Sequence, residues 1–532
     1  MTSQLQQPLG AQISQMLYDR GVRVIFGIPG VHNQELYRGI DQAGLRHILA
    51  RHEQGVGFMA DGYARATGRP GVCYVITGPG LCNIMTPMGQ AYSDSVPLLV
   101  ISSCLNPEDR GRGRGRLHEM KDQRAAAETV SDWSVQAADA PGVYQLIDRA
   151  LDEFQSSRAR PKHIQVPMRL LETAVDPAPP WRQTALLADP GRFGLEALMP
   201  RLVASRRPLF ILGGGAVQVR VLPLLARMGA AVFETQAGRG VVSPDYPLHF
   251  GATLERAGAE GVISSADLVI AVGTELSEVD LWRENLGHQV PLIRVDIDPA
   301  VLTSADTGIG ILADAGGFID DLTATLGPDW TAATGWTAAE VVAKNQLWRS
   351  QGEAEYPGLS LLIDGLRAGL PPNAMIFSDM TQLAYAALML WPMDRPGHWH
   401  HPYGFGTLGY ALPAAIGGAI GRPGLPTVAI AGDYGFQYTL PELATAVELH
   451  LPLPIILWDN GKLGAIEASM VKAQIAPNAV IQQNPDFMAL AKAYGAHAAA
   501  PRSMAELVVA VQTAFSADGP TVIHVTPDTA RA

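Results

Sequence analysis

Short apolar runs alternate with helical patterns along most of this chain, and this alternation limits the possible folds more than any other feature. In residues 8–175 such runs occur at 24–26, 72–76 and 98–101, with helical patterns between them. Short apolar runs that alternate with helices are typical of buried parallel strands covered on both faces. The sequence therefore predicts an α/β fold with mostly parallel sheets.

Two interruptions divide the 532 residues into three units of ordinary domain size. Three prolines within 177–180 interrupt both helix and strand, and a polar stretch near Gly327 suggests a second linker. We predict domains at residues 1–180, 181–345 and 346–532, with a Rossmann-like middle domain. Its glycine run at 213–215 lacks the spacing of a dinucleotide fingerprint, so tight packing of strand on helix explains it better.

Composition and charge exclude several classes of partner. The net charge of −12 argues against a nucleic-acid or acidic-membrane partner. No apolar run is long enough to span a membrane, and the first residues lack the pattern of a signal peptide. Cys73 and Cys104 lie in apolar runs, as expected for reduced thiols, so we predict a cytoplasmic location.

Two polar residues follow apolar runs in the last third of the chain. Asp433 and the preceding Gly432 come after the run 428–431, and Asn460 comes shortly after the run 455–458. Open α/β sheets bind ligands at the carboxyl ends of their strands. Carboxylate and amide oxygens suit Mg²⁺ or Ca²⁺, and Mg²⁺ takes its remaining ligands from phosphate and water. A turn without a ligand is the alternative, because such Gly-Asp turns are common.

A second informative segment, residues 51–68, lies near the start of the chain. Glu53 opens a helical pattern that has small residues at Gly57, Ala60 and Ala64, and a strand pattern at 72–76 follows. The helix dipole alone would favour a glutamate at a helix start. The occurrence of both segments in one chain argues instead that they serve a common site.

Both segments resemble those of thiamine diphosphate (ThDP) enzymes of the acetolactate synthase-like family. The resemblance is strongest to 5-guanidino-2-oxopentanoate (2-ketoarginine) decarboxylases, through residues 27–33, 111–119, 378–382 and 440–449. It implies two ThDP-binding folds, a pyrimidine-binding and a diphosphate-binding domain, around the Rossmann-like middle domain. It also implies ThDP and Mg²⁺ as cofactors, a 2-oxo acid substrate, and a homodimer or homotetramer with active sites between subunits.

The resemblance implies roles for individual residues of the cofactor site. Glu53 would bind and protonate N1′ of the aminopyrimidine, a general acid–base role, and Leu408 would be the apolar wedge that bends the cofactor. Asp433, Asn460 and the main-chain carbonyl of Lys462 would hold Mg²⁺. Further cofactor contacts would be Gly432, Tyr434, Gly435, Gln382 and Asn83.

The same resemblance suggests residues that contact the substrate. His32 and His118 are candidate catalytic residues, although an isolated histidine is more often structural. The residues expected to line the substrate pocket with apolar surface are Val31, Ile76, Ala465 and Ile466.

Three residues depart from the family pattern. Tyr434 replaces the second glycine of Gly-Asp-Gly, Asp459 replaces the first asparagine of Asn-Asn, and Ala465 stands where a glutamate is expected. If that glutamate holds a cationic substrate tail, another acid must do so here. The candidates are Glu119, Asp122 and Glu467. FAD is not expected, because residues 272–277 lack the arginine that acetolactate synthases present there.

The leading hypothesis is non-oxidative decarboxylation of a 2-oxo acid, with 2-ketoarginine as the first substrate to consider. A carboligase that joins the same intermediate to an aldehyde or ketone is the alternative enzyme, because it needs every residue named above. A third alternative is a non-catalytic relative that has kept the fold, which Tyr434 and Asp459 motivate.

Overall fold

The computed structural model describes residues 6–182 and 191–529 and contains three six-stranded sheets. Every pair of neighbouring strands within these sheets is parallel. Helices connect the strands, so the predicted α/β fold with three mostly parallel sheets is confirmed. Within the described ranges, no helix is both long and apolar enough to cross a membrane.

The first sheet has the strand order β3-β2-β4-β5-β7-β6, and β1 pairs with β8 in a separate antiparallel pair. The strands are β1 Gln7–Pro8, β2 Val24–Gly27, β3 Arg46–Leu49, β4 Gly71–Val75, β5 Leu98–Cys104, β6 Trp133–Gln136, β7 Lys162–Pro167 and β8 Ala174–Val175. The helices are α1 Leu9–Asp19, α2 Gln34–Arg38, α3 Ile40–Ala43, α4 Glu53–Thr67, α5 Pro79–Ser93, α6 Gln123–Glu128, α7 Ala140–Ser156 and α8 Met168–Glu172.

The second sheet has the order β11-β10-β9-β12-β13-β14. Its strands are β9 Pro208–Leu212, β10 Ala231–Glu234, β11 His249–Gly251, β12 Leu268–Val272, β13 Leu292–Asp296 and β14 Thr307–Leu312. The helices are α9 Gly191–Ala204, α10 Leu222–Met228, α11 Ala259–Ser264, α12 Glu278–Leu281, α13 Pro299–Leu302 and α14 Ala315–Leu326. A Cβ at Gly213 would lie 2.2 Å from the Gly273 carbonyl oxygen, which accounts for glycine at this turn.

Helix α15, Ala338–Glu355, lies between the second and third sheets in sequence, and the predicted boundary at residue 345 falls inside it. Trp348 of this helix packs edge-on against Phe250 of β11, with ring centroids 6.0 Å apart. The other predicted boundary, at residue 180, lies outside any helix or strand. The domain limits at residue level stay predictions.

The third sheet has the order β16-β15-β17-β18-β20-β19. Its strands are β15 Met375–Ser378, β16 Trp399–His400, β17 Thr427–Gly432, β18 Pro454–Trp458, β19 His497–Ala499 and β20 Thr521–Val525. The helices are α16 Leu359–Gly369, α17 Gln382–Leu390, α18 Ala411–Gly421, α19 Asp433–Tyr438, α20 Glu442–Glu448, α21 Gly464–Lys472, α22 Phe487–Ala493 and α23 Met504–Ala514. Strands β17 and β18 are buried along their whole length, as their apolar runs predict.

Helices α4 and α18 join the first and third domains at a close crossing. A Cβ at Gly62 would lie 2.0 Å from the carbonyl oxygen of Ala414, and one at Gly417 would lie 1.8 Å from that of Met59. Real Cβ atoms do not approach oxygen this closely, so both positions require glycine. This contact fixes the helix that begins with Glu53 against the helix that follows the Leu408 loop.

Candidate active site

Glu53 lies at the start of α4, directly after strand β3 and a short turn. The residue is 8% exposed, and Asn83 Nδ2 donates a hydrogen bond of 2.8 Å to its Oε2. A Cβ at Gly80 would lie 3.3 Å from Glu53 Oε1 and 2.8 Å from Ile76 Cγ2. Three predicted site residues, Glu53, Asn83 and Ile76, therefore lie together at the carboxyl end of the first sheet.

His32 and His118 face each other beside this group. Their ring centroids are 4.8 Å apart at an interplanar angle of 63°, and each Nδ1 is buried without a hydrogen-bond partner among the described residues. Burial lowers the pKa of His32, and the neighbouring His118 lowers it further. A Cβ at Gly78 would lie 2.5 Å from the His118 carbonyl oxygen. His118 therefore packs against the turn that precedes α5, two residues before Gly80, which contacts Glu53 and Ile76.

Asp433 and Asp459 lie together at the carboxyl end of the third sheet. Strands β17 and β18 are neighbours, with Gly432 opposite Trp458, so the residues that follow them meet at one edge. Asn484 Nδ2 donates to Asp433 Oδ2 at 2.7 Å and to Asp459 Oδ1 at 2.8 Å. One amide group thus bridges two carboxylates.

The pKa values of the two carboxyl groups are shifted in opposite directions. Burial raises the pKa of Asp433, and the charge of Asp459 raises it further, although the Asn484 hydrogen bond opposes both. Burial also disfavours the charged form of Asp459, but hydrogen bonds from His524 and Asn484 outweigh it and lower the pKa. His524 Nε2 lies 2.8 Å from Asp459 Oδ2. Asp459 is therefore held as a carboxylate beside the more weakly acidic Asp433.

The oxygen atoms at this edge suit a hard divalent cation. Asn460 Nδ2 donates to Gln382 Oε1 at 2.7 Å, and Asn460 Oδ1 accepts the main-chain N–H of Lys462 at 3.2 Å. Carboxylate, amide and main-chain oxygens are the ligand types that Mg²⁺ takes from proteins. Among the described residues no group of three or more His, Cys, Asp or Glu could hold a metal.

The turn around Asp433 explains one departure from the family pattern. Gly432 is the last residue of β17, and Tyr434 lies in α19 without a left-handed backbone conformation. A side chain at position 434 is therefore compatible with this turn. Gly435 differs, because a Cβ there would lie 2.3 Å from Asp379 Oδ2.

Leu408 lies in the loop before α18, and the loop is fixed on both sides. Thr407 Oγ1 donates to Gln90 Oε1 of the first domain at 2.8 Å, and the Gly409 N–H donates to Asp379 Oδ2 at 2.9 Å. Leu408 itself is half-buried. Burial raises the pKa of Asp379 to about 6, and hydrogen bonds from main-chain amides oppose the rise.

The four residues predicted to line a substrate pocket fall into two groups. Ile76 and the largely exposed Val31 belong to the first domain, whereas the exposed residues Ala465 and Ile466 begin helix α21 of the third domain. Among the described residues, no hydrogen bond, ion pair or ring contact joins the Glu53 group to the Asp433 group. The Glu53 group at the edge of the first sheet and the Asp433 group at the edge of the third are the two candidate half-sites.

The sequence did not predict four residues that hydrogen-bond the predicted site residues or their loops, namely Asp379, Glu442, Asn484 and His524. Glu442 is the most informative, because its Oε1 accepts the main-chain N–H groups of Arg51 and His52, both at 3.0 Å. Glu442 lies in segment 440–449, which carries part of the family resemblance. The sequence did not indicate its partner, because the contact joins residues 390 positions apart.

Comparison with known proteins decides the family. Models of the N-terminal TPP-binding, central and C-terminal TPP-binding domains of thiamine pyrophosphate enzymes match residues 8–126, 195–322 and 379–525. The probable 2-ketoarginine decarboxylase AruI of Pseudomonas aeruginosa is 43% identical over 97% of this chain and 93% of its own length. The chain belongs to the thiamine pyrophosphate enzyme family.

Two further relatives of this thiamine pyrophosphate enzyme are acetolactate synthases. The large subunit of Escherichia coli isozyme 2 is 28% identical over 98% of this chain and 95% of its own length. The acetolactate synthase of Mycobacterium bovis is 29% identical over 92% of this chain and 83% of its own length. The resemblance stated from the sequence is confirmed, and ThDP, also called thiamine pyrophosphate, is the cofactor of the family.

Proposed function

We propose that this enzyme decarboxylates a 2-oxo acid without oxidation, with ThDP held through Mg²⁺. The burial of Glu53 at the start of α4, with Asn83 on one of its oxygens, is the observation that carries the proposal. Asp433, Asn460 and the Lys462 carbonyl would hold Mg²⁺, and Gln382, Tyr434 and Leu408 would contact the cofactor. When bound, ThDP supplies a carbon nucleophile for the substrate carbonyl and an electron sink for the bond that breaks.

Glu53 would hold the proton that the cofactor's pyrimidine ring needs. Asn83 donates to Oε2, so Oε1 is the oxygen left to carry and transfer that proton. Low exposure keeps water away from this carboxyl group, which strengthens any hydrogen bond it makes to a ligand. The hydrogen bond from Asn83 would thus orient the Glu53 carboxyl group.

His32 and His118 would deliver the proton that replaces the lost carboxylate. Burial and the nearby His118 lower the pKa of His32 and favour its neutral form, whose ring can accept a proton and pass it on. Their unpartnered Nδ1 atoms are available for this exchange. In simple decarboxylation this proton goes to the carbon that lost the carboxylate, whereas in carboligation that carbon bonds to the second carbonyl and the proton goes to the acceptor oxygen.

The residues that would bind the substrate tail are less well defined by the structure than those that would bind the cofactor. The relative from P. aeruginosa supports 2-ketoarginine, but Ala465 offers no charge for a guanidinium group. The candidate acids already have partners: Glu119 accepts from the amides of Gly113 and Arg116, Asp122 caps α6, and Glu467 pairs with Lys462. Only Glu467 has a side-chain partner that a guanidinium could replace without unpairing main-chain amides.

The test is a screen of CO₂ release from 2-oxo acids that differ in tail charge. The decisive pair is 2-ketoarginine and an uncharged 2-oxo acid of equal length, compared by kcat/KM. A preference of tenfold or more for the uncharged acid, about 1.4 kcal/mol, would reject 2-ketoarginine while leaving the decarboxylase intact. No CO₂ from any 2-oxo acid would reject the decarboxylase.

Carboligation is the second candidate function, and the acetolactate synthases at 28–29% identity favour it. Product analysis with one 2-oxo acid, with and without an aldehyde or ketone acceptor, separates the two reactions.

A non-catalytic protein is the third possibility. If the protein has lost the cofactor site, its melting midpoint should not rise with millimolar ThDP and Mg²⁺. A cytoplasmic location and a two-fold assembly belong to the same proposal.

A further inference from the structure

A cavity of about 220 Å³ lies between the second sheet and the end of helix α17. Its walls include Arg239 and Arg256 from the second domain and Trp391 from the third. The cavity wall includes Leu388 of α17, and Gln382 lies six residues earlier on that helix, a rise of about 9 Å.

Arg239 is a buried cation that forms no close ion pair. The residue is 5% exposed and makes no ion pair with any carboxylate in the described part of the chain. Its Nη2 donates to the carbonyl oxygens of Ala387 and Trp391, at 3.3 and 2.6 Å, but its Nη1 is buried without a partner. Buried charges in proteins are nearly always paired, because an unpaired one is costly.

Two acids near Arg239, Glu234 and Glu255, attract its charge, but neither is an acceptor of its hydrogen bonds in the described part of the chain. Both oxygens of Glu234 accept main-chain N–H groups, from Gly240 at 3.1 Å and from Val242 at 2.7 Å. Glu255 is nearby, but burial raises its pKa to about 7, so it carries only part of a negative charge at neutral pH. Burial also lowers the pKa of Arg239 despite both acids, which is the sign of an incompletely balanced charge.

Two further nitrogen atoms at the same cavity lack hydrogen-bond partners. Arg256 donates through Nη1 to Glu355 at 3.0 Å, whereas its Nη2 is buried and unpartnered. His249 Nε2 lies 3.2 Å from Glu234 Oε2, but not in hydrogen-bond geometry. Aromatic and apolar side chains complete the wall: Phe250, Trp348, Trp391 and Met393.

We propose that this cavity binds a small organic carboxylate. The carboxylate would accept hydrogen bonds from Arg239 Nη1 and Arg256 Nη2, and its apolar body would lie against the aromatic wall. Arginine pairs with carboxylate through charge-assisted hydrogen bonds that are stronger than neutral ones. Because the site joins two domains, its ligand stabilises their contact, and it does so independently of the substrate of the proposed reaction.

Benzoate is a suitable probe, because it fits the volume and has no 2-oxo group to react. Titration calorimetry on the full-length holoenzyme should show benzoate binding that Arg239→Met weakens at least tenfold and Arg256→Gln weakens several-fold. Arg220→Met, an exposed arginine of the same domain, should leave it unchanged. Benzamide, the neutral analogue, should not bind. Equal affinity in the wild type and both cavity variants, or equal binding of benzamide, would overturn the proposal.

A second measurement covers the case in which Arg239→Met does not fold. Holoenzyme crystals soaked in 4-bromobenzoate should give an anomalous bromine signal beside Phe250 and Trp348. A signal confined to other places, or an interface of the assembled enzyme that fills this cavity, would overturn the proposal. Neither outcome depends on whether the enzyme decarboxylates 2-oxo acids.

Discussion

Glu442 of the third domain accepts the main-chain N–H of His52 at 3.0 Å, and His52 immediately precedes Glu53. The same carboxylate accepts the N–H of Arg51 and the hydroxyl of Thr445. The start of helix α4 is thus held by a side chain from another domain. Glu442 does not belong to either half-site, yet it fixes the segment on which Glu53 stands.

Glu442→Ala is expected to lower the free energy of unfolding by about 2–4 kcal/mol, because two partly buried main-chain amides and the buried Thr445 hydroxyl lose their acceptor. It should also lower kcat, since the Glu53 segment loses its anchor. Urea unfolding and steady-state kinetics measure the two effects. Glu448→Ala is the matched control, because it removes only a largely exposed ion pair with Arg51 and should change stability by less than about 1 kcal/mol. Equal effects of the two variants would refute this role.

Glu442 should also give stability a dependence on pH. Burial raises its pKa from 4.5 to about 7, against hydrogen bonds that lower it. Because the folded pKa exceeds the unfolded one, its contribution to stability is full below pH 4.5 and is lost as pH rises through about 7. Glu442→Gln removes this titration. The melting midpoint of the variant relative to wild type should therefore rise between pH 5 and 8, and a constant difference would contradict the prediction.

Glu53→Gln is expected to lower turnover by about 10²–10⁴-fold, because the general acid–base group is lost. The fold should persist, since glutamine can still accept the hydrogen bond from Asn83. Steady-state kinetics and a melting curve test both statements. Glu35→Gln, at another buried glutamate of the same domain, should keep most activity. More than about a tenth of wild-type turnover in Glu53→Gln would show that Glu53 is not the activating acid.

Asp433→Ala should abolish Mg²⁺-dependent binding of ThDP, because the diphosphate and the ion bind as one unit through hard oxygen ligands. Asp459→Asn should retain it, since an amide at this position still accepts from Asn484 and matches the family pattern. Calorimetry with ThDP and Mg²⁺ measures both affinities. Asp486→Ala, which removes the cap of helix α22 in the same domain, is the control. Unchanged affinity in Asp433→Ala would mean that this half-site has been misread.

Mixed assemblies of two inactive variants should regain activity. If Glu53 of one chain faces Asp433 of another, a dimer of one Glu53→Gln chain and one Asp433→Ala chain has one intact site. Random exchange at equal amounts then gives about a quarter of wild-type activity in a two-fold dimer. Kinetics after subunit exchange, with light scattering to establish the mass, tests this. No gain over the separate variants, or an active monomer, would refute a shared site.

Sequence patterns were sufficient for the sheets and for residues that follow strands. The runs before Asp433 and Asn460 became β17 and β18, and parallel neighbours necessarily bring their following residues to one edge. The position of Glu53 was predictable in the same way, because the residue begins a helix shortly after strand β3. The family then followed from the combination of the two segments, which the comparisons confirmed.

Other features had no local signal in the sequence. Asn484 lies outside any helix or strand, so no periodicity pointed to it as the bridge between Asp433 and Asp459. Glu442 acts through a contact between domains, which only the folded chain reveals. The boundary predicted at 345 from composition stays a prediction: helix α15 spans this position, and its Trp348 packs against Phe250 of the second sheet.

The close crossing of α4 and α18 has a genetic consequence. Every missense change in a glycine codon adds a side chain, because glycine is the residue that lacks one. At Gly62 and Gly417 each new side chain would collide with a carbonyl oxygen of the opposite helix. These two codons should therefore be almost free of accepted missense changes in a library selected for function, whereas Gly261 and Gly519, whose added Cβ atoms would meet nothing and whose φ is not positive, should tolerate more.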